Sequence, residues 1–113
     1  MDKWFVLAEN SETHNMNQYL ITAFDFTDET TLERRMAARP SHLETARRLK
    51  DTNNFIVGGA ILNQRGKMVG SSMIVQFEAD QQLSAWLAEE PYMLSKVWEK
   101  VDIKPFKVAD IWF

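Results

Sequence analysis

The chain has 113 residues, enough for one hydrophobic core and too few for two, and at 45% hydrophobic and 26% charged it has the composition of a folded domain rather than a disordered segment. A net charge of −3 argues against a general grip on nucleic-acid phosphates. No run approaches the ~20 apolar residues of a membrane span, and the absence of cysteine removes disulfides and thiolate chemistry, which fits a reducing cytoplasm.

Residues 1–17 pass from apolar WFVLA, too short for a signal-peptide core, into polar ENSETHNMNQ, and read as an extension that includes His14; the domain then occupies 18–113. QYLITAF (18–24) is nearly continuous in β-favouring residues and predicts a central strand ending at Asp25. TLERRMAAR follows with Thr30 and Glu33 at capping-box spacing. Pro40 then disfavours a helix interior, while Ser41 and Glu44 repeat that spacing, so the pattern predicts two helical pieces broken near Arg39, with His42 in the first turn of the second. His42, Ala46 and Leu49 share a side of that piece with Leu43 beside them.

NFIVGGAIL (54–62), the turn NQRG and MVGSSMIVQFEA predict a β-hairpin, in which Gly58–Gly59 fits a β-bulge or a close backbone approach to a ligand. DQQLSAWLAEE predicts a second helix with Asp80 as N-cap and Leu83, Trp86 and Leu87 on one face. Pro91 stops it and restarts a short helical turn, with Leu94, Val97, Trp98 and Val101 at helical spacing. KVDIKPFKV reads as an edge strand whose apolar parity shifts across Pro105, implying a bulge or bend there. The order strand, helix, strand, strand, helix, strand is the α+β, ferredoxin-like βαββαβ topology, with helices on one face of an antiparallel sheet. Both faces of the hairpin's second strand carry apolar residues, so a homodimer is the simplest cover for the other face, with ADIWF as a contributor to it or as a segment folded on its own subunit.

From Gln18 to Lys107, the segments YLITAFD, RRMAARPSHLE, FIVGGAI, GSSMIVQFEA, EEPY and VDIKPFK resemble, in order and spacing, the YciI-like (YCII-related) domain family. The resemblance implies a dimeric ferredoxin-like α/β-barrel fold and a site built on a histidine and an aspartate, which correspond here to His42 and Asp25. It implies kinship with a dehydrochlorinase of a chlorinated hydroxyquinol and with muconolactone isomerases. Two departures stand out: Glu90-Pro91-Tyr92 replaces the family's DPY, and the stretch after Asp25 is about two residues longer, which makes Asp28 the rival for Asp25's role.

A single histidine near the apolar side of a helix is more often packed or capping than catalytic. Asp25 has an equally plain reading as a strand-end residue capping local N–H groups. With the resemblance, His42 becomes the proton-transfer group and Asp25 its partner. Arg35 and Arg39, four apart, fit a solvated charged face or contacts to an anionic substrate; Gly59, Ser72, Glu90 and Tyr92 complete the candidate substrate contacts. The sequence has no phosphate loop, dinucleotide fingerprint or metal cluster, so cofactor-free proton transfer on a small molecule, as in an isomerase or lyase, is expected. The rival reading is a non-catalytic homodimer that binds a small molecule or a protein.

Overall fold

In the computed structural model, which describes residues 16–111, alternation along the first strand decides the architecture. Strand β1 (Asn17–Asp25) buries Tyr19, Ile21, Ala23 and Asp25 and turns Gln18, Leu20, Thr22 and Phe24 to the other side. It is central, as expected: the antiparallel sheet has the order β2-β3-β1-β4, with β2 (Phe55–Leu62), β3 (Met68–Phe77) and β4 (Trp98–Phe106). Met73, Val75 and Phe77 pair alongside the buried β1 residues, and helices α1 (Thr31–Asp51), α2 (Asp80–Ala88) and α3 (Pro91–Leu94) lie on that face. This is the ferredoxin-like α+β fold. The core joins Tyr19, Ile21, Val75, Leu83, Tyr92, Val97 and Trp98, all less than a tenth exposed.

The proline does not break α1. One helix of 21 residues runs through Pro40, because the proline points to solvent, where the Met36 carbonyl that loses its N–H partner can be hydrated. His42 therefore sits in the middle of a helix rather than in a first turn. Neither capping box forms: the Thr30 hydroxyl donates to Asp28 Oδ1, and Ser41 and Glu44 lie within the helix.

Smaller expectations change as well. Asp80 is the first residue of α2 rather than its cap, and its carboxylate accepts the Tyr19 hydroxyl at 2.5 Å. Helical spacing does not continue past Leu94; Lys96 takes φ 56° and Trp98 begins β4. Pro105 pairs with Tyr19 in unbroken register on the edge strand, and the irregularity falls at Phe24/Asp25, opposite Trp98 and Lys100. In the hairpin the register shifts flank Phe55/Val57 and Ile61/Leu62, so Gly58–Gly59 is no bulge.

Two other glycines are needed where they stand. Gly66 takes φ +79° in the hairpin turn, and a Cβ on Gly70 would lie 2.5 Å from the Ala23 carbonyl oxygen of the neighbouring strand. The extension assigned to 1–17 lies almost wholly outside the described residues, as do His14 and the last two residues of ADIWF.

Candidate active site

Position along α1 sets the site. Arg35, Ala38, Arg39 and His42 recur at helical spacing, so the side that packs on the sheet carries polar groups into the core. Arg35 is fully enclosed, and a buried guanidinium must find partners. Its Nη1 donates to both oxygens of Asp25, at 2.9 and 3.0 Å, and its Nη2 donates to the Gly70 carbonyl at 2.9 Å and the Ser71 hydroxyl at 2.8 Å. Burial pushes the Asp25 carboxyl up, against the pull of Arg35. Asp25 also borders a groove lined by Phe24, Thr31, Leu32, Met68 and Val69.

His42 meets a different carboxylate. Glu90, wholly buried, caps α3 by accepting the Tyr92 N–H, and the same Oε1 lies 2.5 Å from His42 Nδ1. An ionised Glu90 can only accept, and opposite it the imidazole takes the tautomer with the proton on Nδ1 and the lone pair on Nε2. Glu90 Oε2 and Arg35 Nε are buried without a hydrogen-bond partner among the described residues.

Aromatic rings fix the imidazole. Tyr92 stacks on it with centroids 4.0 Å apart and planes 14° from parallel, and Trp98 meets it edge-on at 6.1 Å. Arg35 Cζ lies 4.6 Å from the same Tyr92 centroid, and Trp98 donates its indole N–H to Ser71 Oγ at 3.2 Å. Asp25, Arg35, Tyr92, His42 and Glu90 thus form one continuous cluster, in which the His42 side chain keeps a 14% opening to solvent. Burial pushes the Tyr92 phenol up, while Arg35 and Arg39 pull it down.

The cluster corrects the expected pairing: Asp25 is committed to Arg35, and Glu90 occupies the position expected of Asp25. Asp28 is no substitute, since it is held by Arg34 at the surface. Arg35 belongs to the site as a buried brace, not as a solvated charge. Tyr92 joins it directly, and Arg39 lies half-buried one helical turn from His42. Gly59 and Ser72 pair with each other on the helix-free face of the sheet, away from His42. Trp98 and Ser71 join the site without a signal in the sequence: Trp98 reads there as an ordinary core aromatic, and Ser71 as the residue beside Ser72.

Residues 18–107 match the YCII-related domain. Protein YciI of Escherichia coli O6:H1 is 35% identical over 95 residues, which span 79% of this chain and 95% of that protein. An uncharacterized protein of Haemophilus influenzae is 36% identical over the same share of both. Among solved structures, 5-chloro-2-hydroxyhydroquinone dehydrochlorinase (TftG) from Burkholderia phenoliruptrix AC1100, in complex with 2,5-dihydroxybenzoquinone, has a TM-score of 0.70 at 21% identity, covering 81% of this chain and 95% of that one. PA3566 from Pseudomonas aeruginosa has a TM-score of 0.52 at 11% identity, covering 88% of this chain and 100% of that one. Likeness at those identities is one of fold, whereas the sequence match extends over most of the domain, and the chain belongs to the YCII-related domain family.

Proposed function

We propose that the protein is a small-molecule enzyme that transfers a proton without a cofactor, of the isomerase or lyase type, with His42 as the group that moves the proton. The observation that carries this reading is the His42–Glu90 contact inside an aromatic cage. A buried carboxylate on Nδ1 fixes the tautomer, stacking on Tyr92 fixes the ring plane, and the lone pair on Nε2 is left to act as a base. When Nε2 takes a proton, the positive charge on the ring is met by Glu90 rather than by water. Asp25 is a positioning residue in this reading: it holds Arg35, which supports Tyr92, which supports the imidazole.

The dehydrochlorinase of like fold gives the reading a concrete substrate to try, 5-chloro-2-hydroxyhydroquinone. Chloride release from it, and deuterium uptake from D2O into a panel of small ketones and phenols, test the proposal. Wild type should catalyse one of these, and His42→Ala should lose about 10²- to 10⁴-fold while keeping its circular dichroism spectrum. Turnover unchanged in His42→Ala would overturn it.

We further propose that the protein works as a cytoplasmic homodimer, with the helix-free sheet face covered by a second copy. Leu20, Ile74 and Val57 form one cross-strand row on that face, and Phe24 and Ile61 flank Gly70 in another. The rival function, a dimer that binds without turnover, draws support from the small exposed fraction of the His42 ring. It predicts that 2,5-dihydroxybenzoquinone raises the melting temperature of wild type and that no substrate in the panel is turned over.

A further inference from the structure

The two arginines of α1 have different fates. Arg35 is saturated by Asp25, Ser71 and Gly70, whereas Arg39, half-buried, has no carboxylate within ion-pair distance among the described residues. An arginine that is partly desolvated and unpaired is poised for an oxyanion, which its planar fork can grip through two hydrogen bonds.

Helical spacing says which side it serves. Arg34 and Ser41 border α3, where Arg34 donates to the Lys96 carbonyl. At about 100° per residue, Arg39 lies on the opposite flank of α1, facing β2. There the helix-side positions of β2 are Gly58 and Ala60, paired with Met73 and Ser71, and both are exposed. A Cβ on Gly58 would sit 2.8 Å from that of Met73 and 2.9 Å from Phe55 Cζ, so the Phe55 ring lies against Gly58 and the methyl of Ala60 is the short side chain beside it. His42 lies three residues on, about 4.5 Å further along the helix axis.

We infer that Arg39 is the oxyanion-binding residue of the His42 site, and that the substrate is a small enol or phenol, bound also as its keto tautomer, whose oxygen carries the charge and docks on Arg39 on the β2 side of α1. This rests on the proton-transfer reading and names its substrate class. Charge bookkeeping agrees. With a neutral imidazole, Arg35 and Arg39 balance Asp25 and Glu90. In the keto tautomer of such an enol or phenol, the C–H bond beside the carbonyl breaks with its proton going to His42 Nε2, its electron pair forming the C=C bond and the carbonyl π pair moving onto the oxygen that docks on Arg39. The new imidazolium then faces Glu90, and the new oxyanion faces Arg39.

Amide NMR titrations test this with two anions, benzoate and 4-nitrophenolate, against the neutral benzamide and 4-nitroanisole, at about pH 8 where the nitrophenol is ionised. In wild type the anions should shift the amides of Arg39, Ser41, His42 and Leu43 and of residues 58–60, and bind at least about tenfold more tightly than the neutral compounds. Arg39→Gln should abolish that preference, Arg39→Lys should retain part of it, and His42→Ala should keep it. Equal binding of charged and neutral compounds, unchanged anion binding in Arg39→Gln, or shifts confined to other residues would overturn the inference. If His42→Ala loses turnover in the same preparations while Arg39→Gln still binds anions, the oxyanion role of Arg39 fails and the proton-transfer reading stands. If His42→Ala keeps its turnover while Arg39→Gln loses the anions, the oxyanion site stands and the proton-transfer reading fails.

Discussion

Replacing Asp25 by Asn leaves the Arg35 guanidinium buried with its charge uncompensated. Burial already works against the Asp25 charge, so the pair as a whole adds little net stability, yet removing one member is costly. Asp25→Asn is expected to lose about 3–5 kcal/mol in urea unfolding, whereas the paired change Asp25→Leu with Arg35→Met should lose less than the single one. A double variant as unstable as the sum of its parts would contradict this. Apart from Trp98 and Ser71, the residues of the site are legible in the sequence, but not their partners. His42, Arg35, Asp25, Glu90 and Tyr92 all stand in recognisable motifs. Which carboxylate reaches the ring depends on where α3 docks, a long-range fact. A signal is present: Glu90 directly before a proline is placed to cap the short helix that carries Tyr92, which fixes its carboxylate at that helix's start.

Helix α1 shows how far local rules reach. The Ser41/Glu44 capping-box spacing and the proline both argue for a break near Arg39, and the chain overrides them because packing of Arg35, Ala38 and Leu49 on the sheet rewards one continuous helix. Pro40→Ala supplies the missing N–H to the Met36 carbonyl and relieves the ring clash. It is expected to stabilise the protein by about 1–3 kcal/mol in urea unfolding; a loss of stability would mean that the proline sets the helix geometry. The start of α1 is tied down by Arg34, which grips Asp28 and the Lys96 carbonyl. Arg34 holds the Asp28 carboxyl well below the ordinary aspartate range. A depressed value contributes stability above the ordinary pKa of about 3.9 that is lost as pH falls below it. Asp28→Asn should therefore flatten the acid limb of the stability profile and leave its shape near neutrality unchanged, as measured by urea unfolding at a series of pH values.

Across the domain, the strand order and the side on which the helices lie follow from the period-two burial of β1 and the helical spacing of α1 and α2, so the topology is readable from the chain. Edge irregularities are not, because a bulge answers to its neighbour strand: the one near Trp98 is placed by pairing with Phe24 and Asp25. The two sheet edges also differ. β4 carries Glu99, Lys100, Asp102, Lys104 and Pro105, all of which discourage added strands, whereas β2 has neither charge nor proline. With the apolar rows of the helix-free face, this supports the proposed homodimer. Sedimentation should give twice the 13.2 kDa chain mass, and Leu20→Asp with Ile74→Asp should give one chain mass with the helical signal retained. A monomeric wild type at high protein concentration would contradict it.

The proposed proton transfer requires Glu90 to hold His42 as the Nδ1–H tautomer with the lone pair on Nε2. Imidazole ¹⁵N spectra of the neutral ring read that tautomer without any assumed substrate, in wild type, Glu90→Gln and Asp25→Asn. Wild type and Asp25→Asn should show the Nδ1–H form, and Glu90→Gln should lose the preference. A wild-type ring protonated on Nε2, or a tautomer that responds to Asp25 and not to Glu90, would contradict the assignment.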